Sequence, residues 1–303
     1  MELNLNMKVS EMEYDSYIEC MEILISKAMN KSVKVVTVPK NNGCVKSGLQ
    51  IEETETNVNP QIYLEEMYWE QREKEGTLQD SVDEFLKIYQ TSKHDSIASD
   101  FFEWEHVKEY VTTKVINAEW NKELLKNIPH KKVLDLAIVY QIVVEITDSG
   151  LATVLIRKEH LEQWGVSEKE LQEIAEENSE KLFPAELKRM SEVIWEMLDI
   201  AEMEIDEPDA TMYVLTNKYR MFGAVAIFYK GMLEKIGEML GTGFVIIPSS
   251  IHETIILKDT RHDIDRSEIT EMIKSVNEEQ VRREERLADH PYYYSIKNKQ
   301  LSI

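Results

Sequence analysis

Cysteine is nearly missing from this chain: Cys20 and Cys44 are the only two in 303 residues. They form no Cys-x-x-Cys pair and no zinc-type spacing, which excludes a disulfide framework and a cysteine zinc site. Two such cysteines in a chain of this size fit a reducing cytoplasm. Long apolar runs are missing as well. The stretch 224–229 falls far short of the roughly 20 residues that cross a bilayer, so no membrane is expected. The opening residues MELNLNMKVSEME lack a basic region followed by an apolar core, so no secretory signal is expected. Positive charge is scarce: 35 Lys and Arg face 57 Asp and Glu, a formal net charge of −22. Nucleic-acid affinity comes mainly from cations neutralising phosphates, so no direct nucleic-acid binding is expected. The same repulsion disfavours an anionic membrane surface. The plain reading of this charge is solubility; the sharper one is a basic protein partner.

Complete catalytic signatures are also absent. There is no Gly-x-Ser-x-Gly elbow and no P-loop. His252-Glu253 is followed by Ile256 where a zincin helix needs its second histidine, and the other histidines are scattered, so no metal is expected. Gly241-Thr242-Gly243 follows a helix and precedes a strand, the reverse of a dinucleotide fingerprint, and reads as a helix cap and turn. No cofactor is expected.

What remains is the patterning of a folded body. With 43% hydrophobic residues the composition is not that of a disordered chain, and this length can bury roughly three quarters of its unfolded surface. Ser10 with Glu13 reads as a capping box for a first helix, with Tyr14, Ile18, Met21, Ile25 and Ala28 on its inner face. Residues 33–38 and 45–51 read as strands about the turn Asn41-Asn42-Gly43. Asn59-Pro60 opens a helix that carries Tyr63 and Met67, and Thr77 caps another with Val82, Phe85, Leu86 and Tyr89 inside. Residues 104–127 read as partly helical. Residues 134–147 and 151–156 form a hairpin about Asp148-Ser149-Gly150. Ser167 with Glu170 caps a helix whose inner face is Leu171, Ile174, Ala175, Asn178 and Leu182. Pro184 starts the next, with Leu187, Met190, Ile194, Met197 and Leu198 inward. Residues 196–209 read as a frayed helix end and an exposed acidic loop. Residues 212–258, the most apolar long segment, read as strand, turn, strand, helix, strand, turn, strand. Asp265 with Glu268 caps the last long helix, with Ile269, Met272, Ile273 and Val276 inside. Residues 290–294 read as a short edge strand behind Pro291. The helix, strand, turn, strand order of 14–51 recurs at 230–258 without matching residues. The pattern predicts an α+β fold of mixed or antiparallel hairpins packed with amphipathic helices, with subdomains at 1–115 and 116–303.

Two turns in the apolar segment hold the candidate site. Ser249, Ser250 and His252 lie between two strands, where hydroxyls and an imidazole could serve nucleophilic catalysis or hold a polar ligand. The plainer reading is that the serines satisfy turn backbone groups and His252 fills a sheet position. Asn217, Lys218 and Arg220 lie in a basic turn that could hold a carboxylate or phosphate through bidentate contacts, or pair with acids of the same chain.

Several segments carry a resemblance: NPQIYLEEMY (59–68), NKELLKNIPHKKVLDLAIVY (121–140), HLEQWGVSEKEL (160–171), MYVLTNKYRMFGA (212–224), PSSIHE (248–253), VNEEQV and LADHPYYYS. Together they resemble domain-of-unknown-function family 5688 of Gram-positive gut bacteria, over nearly the whole chain. The resemblance implies no activity and no catalytic residues, and it hints at carriage on mobile elements. The run Arg282-Arg283-Glu284-Glu285 is more basic than that family suggests. Three functions are in view: a cytoplasmic binding or regulatory protein; a hydrolase or transferase acting on a small polar substrate at 249–253; and an acidic decoy of a nucleic-acid-binding protein. The first is favoured, since no catalytic motif is complete.

Overall fold

The computed structural model describes residues 4–52, 61–91, 103–147, 150–199, 211–259 and 265–303. The chain is α+β, and it divides into two compact units, Met1–Phe102 and Glu103–Ile303. The boundary expected after residue 115 falls inside a strand, Val111–Asn117, that pairs along its whole length within the second unit.

In the first unit, α1 (Tyr14–Met29) precedes an antiparallel sheet of β1 (Val33–Pro39), β2 (Val45–Ile51) and β3 (Gln61–Tyr63), in that order. α2 (Glu65–Glu73) and α3 (Leu78–Thr91) follow. The Asn-Asn-Gly turn forms as expected because Asn42 and Gly43 take left-handed backbones, at φ 59 and φ 67. α1 buries Tyr17, Ile18, Met21 and Ile25, so Tyr17 belongs to its inner face while Ala28 is exposed. Ser10 sits in a separate 3-10 turn, Val9–Glu11, and α1 starts without a side-chain cap, so the expected capping box does not form. Asn59-Pro60 lies outside the described residues; Tyr63 belongs to β3, and the helix starts at Glu65. Thr77 caps α3 as expected: Asp80 N donates to its hydroxyl at 3.3 Å, and Thr77 N donates to the Asp80 carboxylate at 2.7 Å.

The second unit runs α4 (Trp104–Val107), β4 (Val111–Asn117), α5 (Lys122–Leu125), β5 (His130–Val133), β6 (Leu136–Thr147), β7 (Gly150–Leu155), α6 (Lys158–Trp164) and α7 (Glu168–Leu182). It continues through β8 (Ala185–Arg189), α8 (Met190–Leu198), β9 (Met212–Asn217), a 3-10 helix Gly223–Phe228, α9 (Met232–Leu240), β10 (Phe244–Pro248), β11 (Thr254–Lys258), α10 (Arg266–Gln280), β12 (Tyr292–Ser295) and β13 (Gln300–Ser302). The smaller sheet centres on β6, with β4 along one edge and β5 then β7 along the other. The larger is six-stranded and antiparallel, in the order β13-β12-β10-β11-β9-β8. One apolar cluster joins them: Val115, Leu136 and Ile138 from the smaller sheet meet Leu215, Ile246 and Ile256 from the larger, with Ala224 to Ile227 between.

That placement explains several differences from expectation. The second apolar run of the long segment is 3-10 rather than strand, because it plugs the space between two sheets and finds no ladder. Residues 104–127 contain the buried strand β4. Pro184 precedes strand β8, and the next helix starts at Met190; Ile194, Met197 and Leu198 on it are 44%, 75% and 61% exposed rather than inward. On α7 the buried line is Leu171, Ala175 and Ser179, with Ile174, Asn178 and Leu182 half-buried, and Ser167 caps it as expected. On α10, capped by Asp265 as expected, Ile273 and Asn277 are buried while Met272 and Val276 are exposed. β12 lies between β10 and β13, so β13 is the edge strand instead. The acidic loop lies mostly outside the described residues. The recurring motif is present as α1-β1-β2 and α9-β10-β11, each a helix followed by an antiparallel hairpin.

Candidate functional site

The connection from β10 to β11, residues 249–253, is held by bonds within the turn and by bonds to Thr216, Phe222, Ala224 and Glu285. Ser249 Oγ donates to Glu253 Oε1 at 3.1 Å, His252 N donates to Ser250 Oγ at 3.0 Å, and Ser250 N donates to Glu253 O at 3.2 Å. Ile251 is buried in the core. The His252 ring stacks on Phe222 with centroids 5.4 Å apart, and its Nδ1 accepts the Phe222 N–H at 3.1 Å. That bond requires a lone pair on Nδ1, so the neutral ring carries its proton on Nε2. Burial holds the His252 pKa below its ordinary value, against the pull of Glu285. At 3.7 Å, Glu285 Oε1 and His252 Nε2 are too far apart for a hydrogen bond.

The basic turn, residues 217–222, is built on Asn217. This side chain is buried at the end of β9, where Oδ1 accepts Tyr219 N at 3.0 Å and Met221 N at 3.4 Å, while Nδ2 donates to Met221 O at 2.8 Å. Two non-glycine residues, Arg220 and Phe222, are left-handed here, at φ 53 and φ 54. Such strain persists where surrounding bonds over-determine the backbone, and Asn217 and His252 supply those bonds. Arg220 pairs with Glu196 of α8, which also takes Lys188 at 2.7 Å. Lys218 extends over the Tyr219 ring, 5.7 Å from its centroid.

The two expected sites are therefore neighbours. Thr216 Oγ1 donates to His252 O at 2.8 Å, and Phe222 links the Asn217 turn to the His252 ring. Ser249, Ser250 and His252 share one turn, but the two hydroxyls bond Glu253 and the main chain while the ring bonds Phe222. Lys218 and Arg220 stand apart from that ring, each with its own neighbour.

A concavity lies elsewhere in the second unit. A groove of about 600 Å³ runs beside α7. Its floor is apolar, from Ile138 of β6 and Val225 and Phe228 of the 3-10 helix. Its wall is Glu173, Glu176, Glu177 and Glu180, which share one face of α7 at i, i+3, i+4 and i+7. The edges are tied down. Tyr229 O–H donates to Phe183 O at 3.0 Å, and Thr113 N donates to Ser179 Oγ at 2.8 Å. Lys131 pairs with Glu176 at 3.0 Å, Lys181 pairs with Glu177 at 2.6 Å, and Lys230 N donates to Glu180 Oε1 at 2.8 Å. The Lys181 hydrogen bond lowers the pKa of Glu177. Sequence reasoning missed this groove, because glutamates at helical spacing read as a solvated face. The available signal was that spacing combined with the buried line Leu171, Ala175 and Ser179 on the same helix.

A family model described as a family of unknown function (DUF5688) matches residues 14–296. The chain belongs to this family. No curated protein and no solved structure matches the chain. The DUF5688 match runs through both units and takes in both turns and the groove. Among the described residues, no group of three His, Cys, Asp or Glu side chains could hold a metal ion, and no helix is long and apolar enough to cross a membrane.

Proposed function

We propose that this DUF5688 chain is a binding or regulatory protein without chemistry of its own, and that its groove takes a cationic, amphipathic segment of a protein partner. One observation carries the reading: an apolar floor of Ile138, Val225 and Phe228 lies beside four glutamates on α7, which outnumber the lining lysines Lys131, Lys181 and Lys230, so a partner's cations would compete with the Lys131–Glu176 and Lys181–Glu177 pairs. An amphipathic segment buries its apolar side chains on such a floor and sets Lys or Arg against such a wall. The volume is within the roughly 300–1,000 Å³ range of ligand clefts. The hydrolase or transferase reading draws on the 249–253 turn, where Nδ1 of His252 already serves the Phe222 N–H. A nucleophile would need that imidazole as its base, so the turn favours a structural role. The acidic-decoy reading draws only on the charge of −22 and has no comparable groove behind it. A cytoplasmic setting fits Cys20 and Cys44, which form no disulfide.

The test is fluorescence anisotropy with a labelled peptide of repeating Leu and Lys, against the same peptide with Glu for Lys. The wild-type chain binds the Lys peptide and not the Glu peptide, with affinity falling as salt rises. Glu173→Lys with Glu177→Lys, at exposed positions, weakens binding about tenfold or more. Equal affinity of the double variant would overturn the reading.

A further inference from the structure

The turn between β5 and β6 carries Leu134 at φ 56, a left-handed backbone that costs a branched residue about 1 kcal/mol. Asp135 holds this turn by three bonds. Its carbonyl accepts Ala118 N–H at 2.7 Å, its Oδ2 accepts His290 Nε2 at 2.9 Å, and its Oδ1 accepts the Tyr292 O–H at 2.9 Å. His290 Nδ1 lies 3.1 Å from the Pro291 carbonyl oxygen. A ring that faces a carboxylate with one nitrogen and a carbonyl with the other satisfies both acceptors only with a proton on each nitrogen, so the geometry favours the imidazolium form of His290. We infer that His290, Asp135 and Tyr292 form a proton-gated clamp that locks the β5–β6 turn of the smaller sheet onto β12 of the larger, and that loss of the His290 proton releases it. The inference is independent of the groove reading.

The neutral ring has a single N–H. A proton kept on Nδ1 leaves the Asp135 carboxylate facing a lone pair and breaks that bond; a proton kept on Nε2 leaves the Pro291 carbonyl facing a lone pair and preserves the Asp135 bond, but without the attraction of the imidazolium charge. Among the described residues, Asp135 across the junction and Asp289 in the ring's own segment are the charges acting on His290. Asp289 is anchored by Asn277, whose Nδ2 donates to it at 2.7 Å. The Tyr292 phenol is pushed far up by burial and stays protonated. The Asp135 hydrogen bond raises the His290 pKa above 6.5, against burial. Burial would raise the Asp135 carboxyl, but the His290 and Tyr292 bonds outweigh it and hold that carboxyl below its ordinary value. Asp135 thus stays charged across the window, and His290 is the group that switches. Its contribution to stability is full below pH 6.5 and is lost as pH rises through the raised folded value.

The experiment is an NMR pH titration of the full-length chain that reads the imidazole nitrogens and the exchange protection of the Ala118 amide. His290 holds both protons past pH 6.5, and Ala118 protection falls about tenfold as His290 deprotonates. His290→Gln removes the step. Should that variant fail to fold, Tyr292→Phe keeps the buried ring, frees Asp135 for His290 alone and moves the midpoint upward. A His290 midpoint at or below 6.5, Ala118 protection without a step, or an unmoved midpoint in Tyr292→Phe overturns the clamp.

Discussion

A methyl group on Gly223 would stand 2.3 Å from Thr216 Oγ1 and 2.7 Å from both Asn217 N and His252 O. Two of those neighbours are main chain and cannot swing away, so Gly223→Ala forces β9 and the 249–253 turn apart. We expect a loss of about 3 kcal/mol in urea unfolding; a variant as stable as the wild type would show that the contact yields. His252, beside it, gives a pH test. Its folded pKa lies below 6.5, so its contribution is full above pH 6.5 and is lost as pH falls through the folded value. The added proton on Nδ1 would oppose the Phe222 N–H, now 3.1 Å away. Wild-type stability should therefore drop more between pH 7.5 and pH 5 than that of His252→Asn, whose side-chain oxygen can still accept from Phe222. Parallel pH curves would contradict this assignment.

Elements with their own punctuation were legible in the sequence. Thr77, Ser167 and Asp265 mark helix starts that the structure keeps, and Asn41-Asn42-Gly43 marks a hairpin. Elements whose identity depends on distant neighbours were not. β4 reads VTTKVIN, an ordinary strand, yet it lies within residues 104–127, which read as partly helical; β6 pairing decides it. The 3-10 helix Gly223–Phe228 has the composition of a strand and becomes a plug because both sheets close over it. On α8, Met197 and Leu198 were expected inside by apolarity alone, and they are 75% and 61% exposed. The candidate site divides the same way. The serine, histidine and asparagine turns could be found from local residue types. The groove could not, because it needs α7, β6 and the 3-10 helix, which are far apart in sequence, to converge.

At the scale of the whole molecule, basic residues pair with nearby acids while the net charge stays at −22. Lys74 pairs with Glu70, Lys126 with Glu123 and Lys274 with Glu271, each a helical neighbour in solvent. Exposed pairs of this kind are screened by solvent and add little to stability. The wall of α7 differs because its glutamates border an apolar floor. The decisive measurement is a methyl NMR titration of the full-length chain with the Leu-Lys peptide, followed at Ile138 and Val225 in the groove and at Ile273 in the separate cluster under α10. The account predicts saturable shifts at Ile138 and Val225, reversed by salt, with Ile273 unmoved. Saturating peptide that leaves Ile138 and Val225 in place, or that moves Ile273 instead, would contradict it.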